Sequence, residues 1–194
     1  LIAFVSDRDG ENHLYTVPIA GGEITRLTHK PLPGANPWYC FFSWAPDGRK
    51  IVFKKVENEN ANLYVMDLES QTAEQLTHHA GFEVRDPDWS ADSASIVYVS
   101  DRREKPELWI YDLASQNESV IESDEPNMHY PVWSPDGKQV AFVSDESGDL
   151  EINVVDGKGK KIKRLTNTPG DDESPIWSPD GQNLAFISHL NGDA

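Results

Sequence analysis

The sequence has few of the features that identify a disulfide-rich, membrane-spanning or nucleic-acid-binding protein. Its single cysteine, Cys40, excludes an intrachain disulfide and leaves the redox compartment open. No apolar run approaches the roughly 20 residues that a membrane-spanning helix needs, so we expect no membrane insertion. Only 17 lysines and arginines accompany 33 aspartates and glutamates, for a formal net charge of -16. Because this charge repels phosphate backbones, we expect no nucleic-acid partner.

A repeat runs through the chain. A tryptophan followed by a turn sequence stands at residues 44–48, 89–93, 133–137 and 177–181. Each turn precedes a short apolar run such as Ile51-Val52-Phe53, which is typical of a strand covered on both faces. Further strand-like runs complete each period, and no helical pattern separates them. The repeat therefore predicts an all-β fold, a β-propeller of four-stranded antiparallel blades.

The strand count predicts an incomplete ring. We call the strands of a blade A, the innermost, which ends at the repeat tryptophan, to D, the outermost. By this count the chain starts at strand B of one blade and ends with strands A and B of another. It therefore contains about four to four and a half blades. Residues 1–194 are predicted to be a single propeller domain or partial propeller, and we favour part of a larger, for example six-bladed, ring. Unpaired strands at the open edges predict self-association.

The turn sequences and the tryptophans are interpreted as structural. Asp47, Asp136 and Asp180 are predicted to accept hydrogen bonds from nearby backbone N–H groups. Ser93 replaces the glycine of the other turns, and a left-handed Ser93 would carry strain on the order of 1 kcal/mol. The repeat tryptophans are predicted to fill the wedges between blades rather than to stack on a ligand.

Several motifs resemble those of the TolB-like propeller family, and the resemblance covers essentially the whole chain. They are Pro-x-Trp-Ser-Pro-Asp-Gly at 131–137 and 175–181, Leu-Tyr-Val-Met-Asp-Leu at 63–68, and Arg-Leu-Thr at 26–28 and 164–166. The same repeat occurs in periplasmic TolB, in the propellers of prolyl-oligopeptidase-like serine peptidases and in oligogalacturonate lyases. The resemblance implies a periplasmic or extracellular location, whereas cysteine usage leaves a cytoplasmic one open.

The candidate site residues fall on one face of the predicted propeller. The D-to-A and B-to-C loops lie together on what we call the loop face, and the A-to-B and C-to-D turns lie on the opposite turn face. All six histidines and many carboxylates map to the loop face. Cys40, Arg85, His129 and Glu173 stand four residues before successive repeat tryptophans, at the entry of strand A. The predicted ligand- or partner-binding residues are Arg85, His129, Glu173, His78 and Asp171.

These features favour a non-enzymatic scaffold that binds a protein or peptide partner through the loop face. The negative charge of the loop face favours a basic partner segment. One alternative is a metal-dependent, carbohydrate-active propeller, as the resemblance to the lyases implies, with a divalent metal at the channel mouth and candidate ligands His78, His129 and Glu173. Another is the accessory propeller of a serine peptidase. Because no Gly-x-Ser-x-Gly motif is present, no catalytic residue is assigned.

Overall fold

The computed structural model describes residues 1–32, 42–122, 127–146 and 148–189. Within these ranges the chain forms 17 strands in five sheets, and all paired strands are antiparallel. None of the described residues form a helix long and apolar enough to cross a membrane. Strands that are consecutive in the chain are neighbours in each sheet, as in propeller blades. The predicted all-β propeller fold is confirmed.

The first blade has three described strands and the next three blades have four each. The first contains β1 (Ile2–Ser6), β2 (His13–Val17) and β3 (Thr25–Arg26). The second contains β4 (Phe42–Trp44), β5 (Lys50–Glu57), β6 (Asn60–Asp67) and β7 (Thr72–Gln75). The third contains β8 (Val84–Trp89), β9 (Ser95–Ser100), β10 (Glu107–Asp112) and β11 (Asn117–Val120). The fourth contains β12 (His129–Trp133), β13 (Gln139–Ser144), β14 (Glu151–Asp156) and β15 (Lys163–Arg164).

The last described blade consists of β16 (Asp172–Trp177) and β17 (Leu184–Ser188). These two strands form a sheet of their own, so β16 does not supply an inner strand to the first blade. Among the described residues, no strand of the first blade contacts a strand of the last. The five blades therefore form an open arc.

Apolar side chains pack between neighbouring blades in three clusters. One cluster contains Leu14 of the first blade and Phe53 of the second, and another contains Val52 of the second and Ile96 of the third. Trp89 is buried between the second and third blades. Trp44 and Trp133 pack against the clusters on either side of it. The prediction that the tryptophans fill the wedges between blades is confirmed for these three.

The A-to-B turns are held by their aspartates, as predicted. Asp47, Asp136 and Asp180 each accept a hydrogen bond from the backbone N–H two residues further on, at 2.8, 3.1 and 3.0 Å. The glycine of these three turns has a left-handed φ of 67–69°. Ser93 occupies that position in the third blade with φ 58°, so it also adopts a left-handed conformation.

Candidate functional site

A bulge interrupts the inner strand of each of the third, fourth and fifth blades. The register between strands A and B shifts at residues 85–88, 129–132 and 173–176. Asp86, Tyr130 and Ser174, one in each bulge, have positive φ values of 52°, 50° and 56°. A proline follows each of them. Because proline has no N–H to donate to a neighbouring strand, it is accommodated where strand pairing is interrupted.

The inner strands enclose a concave pocket of about 580 Å³ on the channel side of the arc. We call it the channel-wall pocket. Its wall is predominantly apolar and includes Phe42, Pro87, Pro131 and Pro175. Two carboxylates of the third blade, Asp86 and Asp88, also line it. An apolar concavity with a few polar groups is the usual form of a ligand site.

Asp88 connects three blades at the base of this pocket. Its Oδ1 accepts a hydrogen bond from Ser43 Oγ of the second blade at 2.8 Å. Its Oδ2 accepts one from the Trp133 N–H of the fourth blade, also at 2.8 Å. Burial raises the pKa of Asp88 to about 6, although these two hydrogen bonds oppose the rise. Asp88 therefore contributes to the alignment of the inner strands as well as to the charge of the pocket.

One carboxylate oxygen of Asp86 has no hydrogen-bond donor among the described residues. Its side chain is only 9% exposed. The carboxylate accepts a hydrogen bond from the Tyr130 N–H of the next blade, but Oδ2 accepts none within the described residues. The nearest cationic group, Arg85 Nη1, is 3.8 Å from Oδ2 and thus beyond hydrogen-bond distance. Burial raises the pKa of Asp86, and the nearby Arg85 charge opposes that rise.

The structure brings together two of the five predicted site residues. Arg85 in β8 and His129 at the start of β12 are close enough for the arginine charge to affect the imidazole. Burial, and then the Arg85 charge, lower the pKa of His129 to about 4, while Asp145 opposes the change. His129 is therefore neutral at physiological pH.

The other three predicted residues lie apart from this pair in their contacts. Glu173 bonds to His189 of its own blade, with 2.9 Å between Oε1 and Nε2. Asp171 Oδ1 accepts a hydrogen bond from the Leu150 N–H at 2.9 Å and so ties two loops together. His78 is exposed. Cys40, the equivalent position in the second blade, lies outside the described residues.

Many loop-face carboxylates hold backbone or side-chain groups of neighbouring loops. Asp101 accepts a hydrogen bond from the Glu83 N–H and Asp145 accepts one from Asn127 Nδ2, both at 2.8 Å. Among the described His, Cys, Asp and Glu residues, no three lie close enough together to hold a metal ion. His78, His129 and Glu173 are thus not gathered into one ligand set.

A polar cluster at the outer rim was not predicted from the sequence. Glu118 of β11 accepts hydrogen bonds from Tyr98 Oη and Arg102 Nη1, and His79 Nε2 lies 3.0 Å from its Oε1. Burial opposes ionisation of Glu118, but these three partners outweigh it and lower its pKa to about 2. Because His79 follows the second blade and Glu118 belongs to the third, the cluster links the two at the rim. Sequence spacing carried no signal for this contact, since 39 residues separate the two.

Comparison with known proteins places these blades in a family. Residues 86–194, more than half of the chain, match the TolB beta propeller domain. The chain belongs to the TolB β-propeller family. The Tol-Pal system protein TolB of Hahella chejuensis is 29% identical over 84 residues, which make up 41% of this chain and 18% of that protein. The matched segments thus cover about a fifth of the length of these curated relatives.

Solved structures agree with this assignment. TolB from Acinetobacter baumannii superimposes on 98% of this chain and 49% of its own, with a TM-score of 0.79 and 25% identity. An oligogalacturonate lyase in complex with manganese covers 99% of this chain and 56% of its own, with a TM-score of 0.78 and 20% identity. At that identity the likeness to the lyase establishes the propeller fold alone.

Proposed function

We propose that this chain is a non-enzymatic TolB-like propeller segment that binds a protein partner at the channel-wall pocket and the adjoining loop face. The observation that carries the proposal is the pocket itself, which combines an apolar wall with buried carboxylates. Membership of the TolB family supports the proposal, because relatives are named as Tol-Pal system proteins. The same relationship supports a periplasmic location.

Electrostatics favour a basic partner segment. The chain carries a formal net charge of -16, and Asp86 and Asp88 add negative charge to the pocket when ionised. Complementary charge accelerates encounter and does so most at low salt. The apolar wall supplies the contact area that would retain the segment once it has docked.

The test is selection of peptides from a random display library on the immobilised 194-residue protein. We expect enrichment of sequences that combine lysine or arginine with apolar residues. Ser174→Arg adds a positive charge to an exposed residue of the pocket wall and is expected to weaken the selected peptides. Gln182→Arg adds the same charge on the turn face, where the residue is exposed, and is expected to leave binding unchanged.

Two outcomes would contradict parts of this proposal. If the selected peptides bind Ser174→Arg and Gln182→Arg equally well, they do not dock at the channel-wall pocket. If their association rates stay the same between about 50 mM and about 500 mM salt, the electrostatic part is wrong, because screening shortens the range of charge attraction across that interval.

The metal-dependent, carbohydrate-active alternative has less support. The described residues offer no trio of His, Cys, Asp or Glu side chains at metal-holding distance. Elemental analysis of the tag-free protein after dialysis against metal-free buffer decides the matter. About one bound divalent ion per chain, lost on replacement of His129, would restore this alternative.

A further inference from the structure

We propose that the C-to-D turn of the fourth blade and the strand after it bind an acidic segment of a partner protein. The surface consists of five exposed lysines, which we call the basic patch: Lys138, Lys158, Lys160, Lys161 and Lys163. None of them lines the channel-wall pocket. The inference therefore goes beyond the proposed function and does not depend on it.

The first support is the local excess of positive charge. The patch contains five of the 17 lysines and arginines of a chain whose formal net charge is -16. Four of the five stand within residues 158–163. Like charges this close repel one another, so a bound anion would relieve an unfavourable interaction as well as form favourable ones.

The second support is the lack of neutralising partners in the turn. Within the described part of the chain, Lys138 pairs with Asp136 at 3.0 Å, but the four lysines at 158–163 form no ion pair. The neighbouring carboxylate, Asp156, accepts hydrogen bonds from the backbone N–H groups of Lys158 and Lys160 at 3.1 and 2.8 Å. It thus holds the turn without pairing with the ammonium groups.

The equivalent turns show that lysine is not needed to form a turn of this kind. Residues 68–71 of the second blade and 113–116 of the third contain no lysine or arginine. Their leading aspartates, Asp67 and Asp112, nevertheless accept hydrogen bonds from turn N–H groups at 2.9 and 2.8 Å. The basic charge is therefore a separate feature of the fourth blade.

The third support is the anchoring of the patch. Gly159 has a left-handed φ of 75° and packs so closely on the third blade that a Cβ would lie 3.2 Å from Ile121 Cα. Ile162 packs into the apolar cluster between the third and fourth blades, while Lys161 and Lys163 on either side of it are exposed. The backbone that carries the lysines is thus fixed before a partner arrives, which reduces the entropy lost on binding.

The patch also follows an open strand edge. β15 is the outermost strand of its sheet, and none of the described strands pairs with its outer side. An extended segment can add to such an edge, and opposite charges across the new strand pair would stabilise it. A basic strand would instead meet like charges. Leu165, which is 43% exposed, offers an apolar contact at the end of the row.

The charge of the rest of the chain favours a short acidic segment over a membrane or a nucleic acid. Residues 158–163 span at most roughly 17 Å, which five or six residues of an extended segment would match. A larger anionic surface would also approach the acidic remainder of the chain, and repulsion acts over about 8 Å at physiological salt. A short segment would meet the patch alone.

The test is a fluorescence anisotropy titration with the acetylated, amidated peptide Glu-Val-Glu-Val-Glu-Val-Glu, which carries an uncharged dye. The matched peptide with glutamine in place of glutamate should bind at least about tenfold more weakly. The triple variant Lys160→Gln, Lys161→Gln and Lys163→Gln should weaken the acidic peptide about tenfold, because three exposed ion pairs of modest strength are lost together. Glutamine already adopts a left-handed φ in the equivalent turns, at 71 and 116, so the fold should survive.

A second triple variant is the matched control. Lys30→Gln, Arg49→Gln and Arg103→Gln remove three exposed cations from other blades and change the net charge equally. This variant should bind the acidic peptide within about twofold of the original protein. Equal binding of the two peptides, or equal losses in the two triple variants, would overturn the proposal.

NMR and two further probes separate the acidic segment from other occupants. The acidic peptide should shift the amide signals of residues 158–165, and shifts confined to the channel-wall pocket would contradict the proposal. Vesicles rich in phosphatidylglycerol and a DNA duplex should not bind. If either binds through the patch lysines and the peptide does not, the partner is an anionic surface and the proposal is wrong. If the patch variant abolishes self-association in sedimentation velocity and the peptide does not bind, the occupant is a second copy and the proposal is equally wrong.

Discussion

At the scale of single residues, Asp88 has two opposing effects on the protein. Its carboxylate joins the second, third and fourth blades through Ser43 and Trp133, yet its burial raises its pKa from 3.8 to about 6. The folded state therefore binds the Asp88 proton more tightly than the unfolded chain does. Between about pH 4 and 6 this carboxyl makes stability fall as pH rises, because folding then requires a buried charge.

Asp88→Asn should remove this pH dependence while keeping an acceptor for the Trp133 N–H. We expect the free energy of unfolding of the original protein minus that of the Asp88→Asn variant to be larger at pH 4 than at pH 7, by on the order of 2–3 kcal/mol. Urea denaturation at a series of pH values measures it. A constant difference across this range would mean that Asp88 titrates normally.

His129 provides a comparison with the opposite sign. Its pKa falls from 6.5 to about 4, so the unfolded chain binds the proton more tightly. The stability associated with neutral His129 is present above about pH 6.5 and is lost as pH falls towards 4. His129→Gln should therefore become more stable relative to the original protein on acidification, in the same urea series. If the difference in unfolding free energy between His129→Gln and the original protein stays constant across this pH range, the lowered pKa is wrong.

The sequence predicted residue roles well where they depend on local turn chemistry. Asp47, Asp136 and Asp180 bond within two residues of themselves, so their sequence neighbours are sufficient. It did not predict the roles of Asp86 and Asp88, because the bulge decides which side chains face the channel and their partners lie in other blades. Nor could it show that Asp101 and Asp171 accept hydrogen bonds from the backbone of other loops.

At the scale of the elements, the A-to-B turn of the third blade differs from the others. Ser93 adopts φ 58° where the equivalent turns have glycine. We expect Ser93→Gly to increase stability by up to about 1 kcal/mol, since relief of the left-handed strain exceeds the entropy that glycine adds to the unfolded chain. Thermal unfolding should then shift upward by about 2–4 °C.

The reverse substitution is the matched control. Gly137 has φ 68°, and a Cβ there would meet only Ala91 Cβ at 3.7 Å. Gly137→Ser therefore introduces left-handed strain without a clash, and it should lower the melting temperature by a similar amount. A Ser93→Gly protein that melts at or below the original temperature would show that hydrogen bonds of the serine turn offset its strain.

The strands themselves were predictable to different degrees. The inner strands end at the repeat tryptophans and the apolar runs form strands B and C, because burial on both faces leaves a clear pattern. The outer strands of the first and fourth blades are short: each pairs over two residues, Thr25–Arg26 and Lys163–Arg164. An outer strand has one neighbour in its sheet, so pairing ends where twist separates the two.

At the scale of the whole molecule, the ends of the arc expose apolar side chains that blade contacts cover elsewhere. Ile176, Phe186 and Ile187 of the last blade are 65%, 42% and 51% exposed. Leu1 and Ile2 of the first blade are 63% and 48% exposed. Surfaces of this kind associate in water, and the adjacent strand edges offer unpaired backbone groups.

We therefore expect the 194-residue protein to associate as its concentration rises through the micromolar range. Sedimentation velocity measures the effect. Ile176→Thr combined with Ile187→Thr should reduce association while preserving β-branched residues in the strands. Ile19→Thr, at a residue that is 84% exposed in a turn, is the control and should not change it. A protein that remains monomeric throughout would contradict this expectation.

The channel-wall pocket is built from inner strands of four different blades, each held to the next by its own interface. In such a stack, the free energy of unfolding is approximately the sum of the contributions of each blade and of each interface between neighbouring blades. The end blades have one such interface each, so they unfold before the middle ones. A ligand in that pocket would contact several blades and would oppose relative movement at the interfaces between them. Ligand binding would then reduce local opening in blades that do not contact the ligand. Slower amide hydrogen exchange in those blades would report that the pocket is filled.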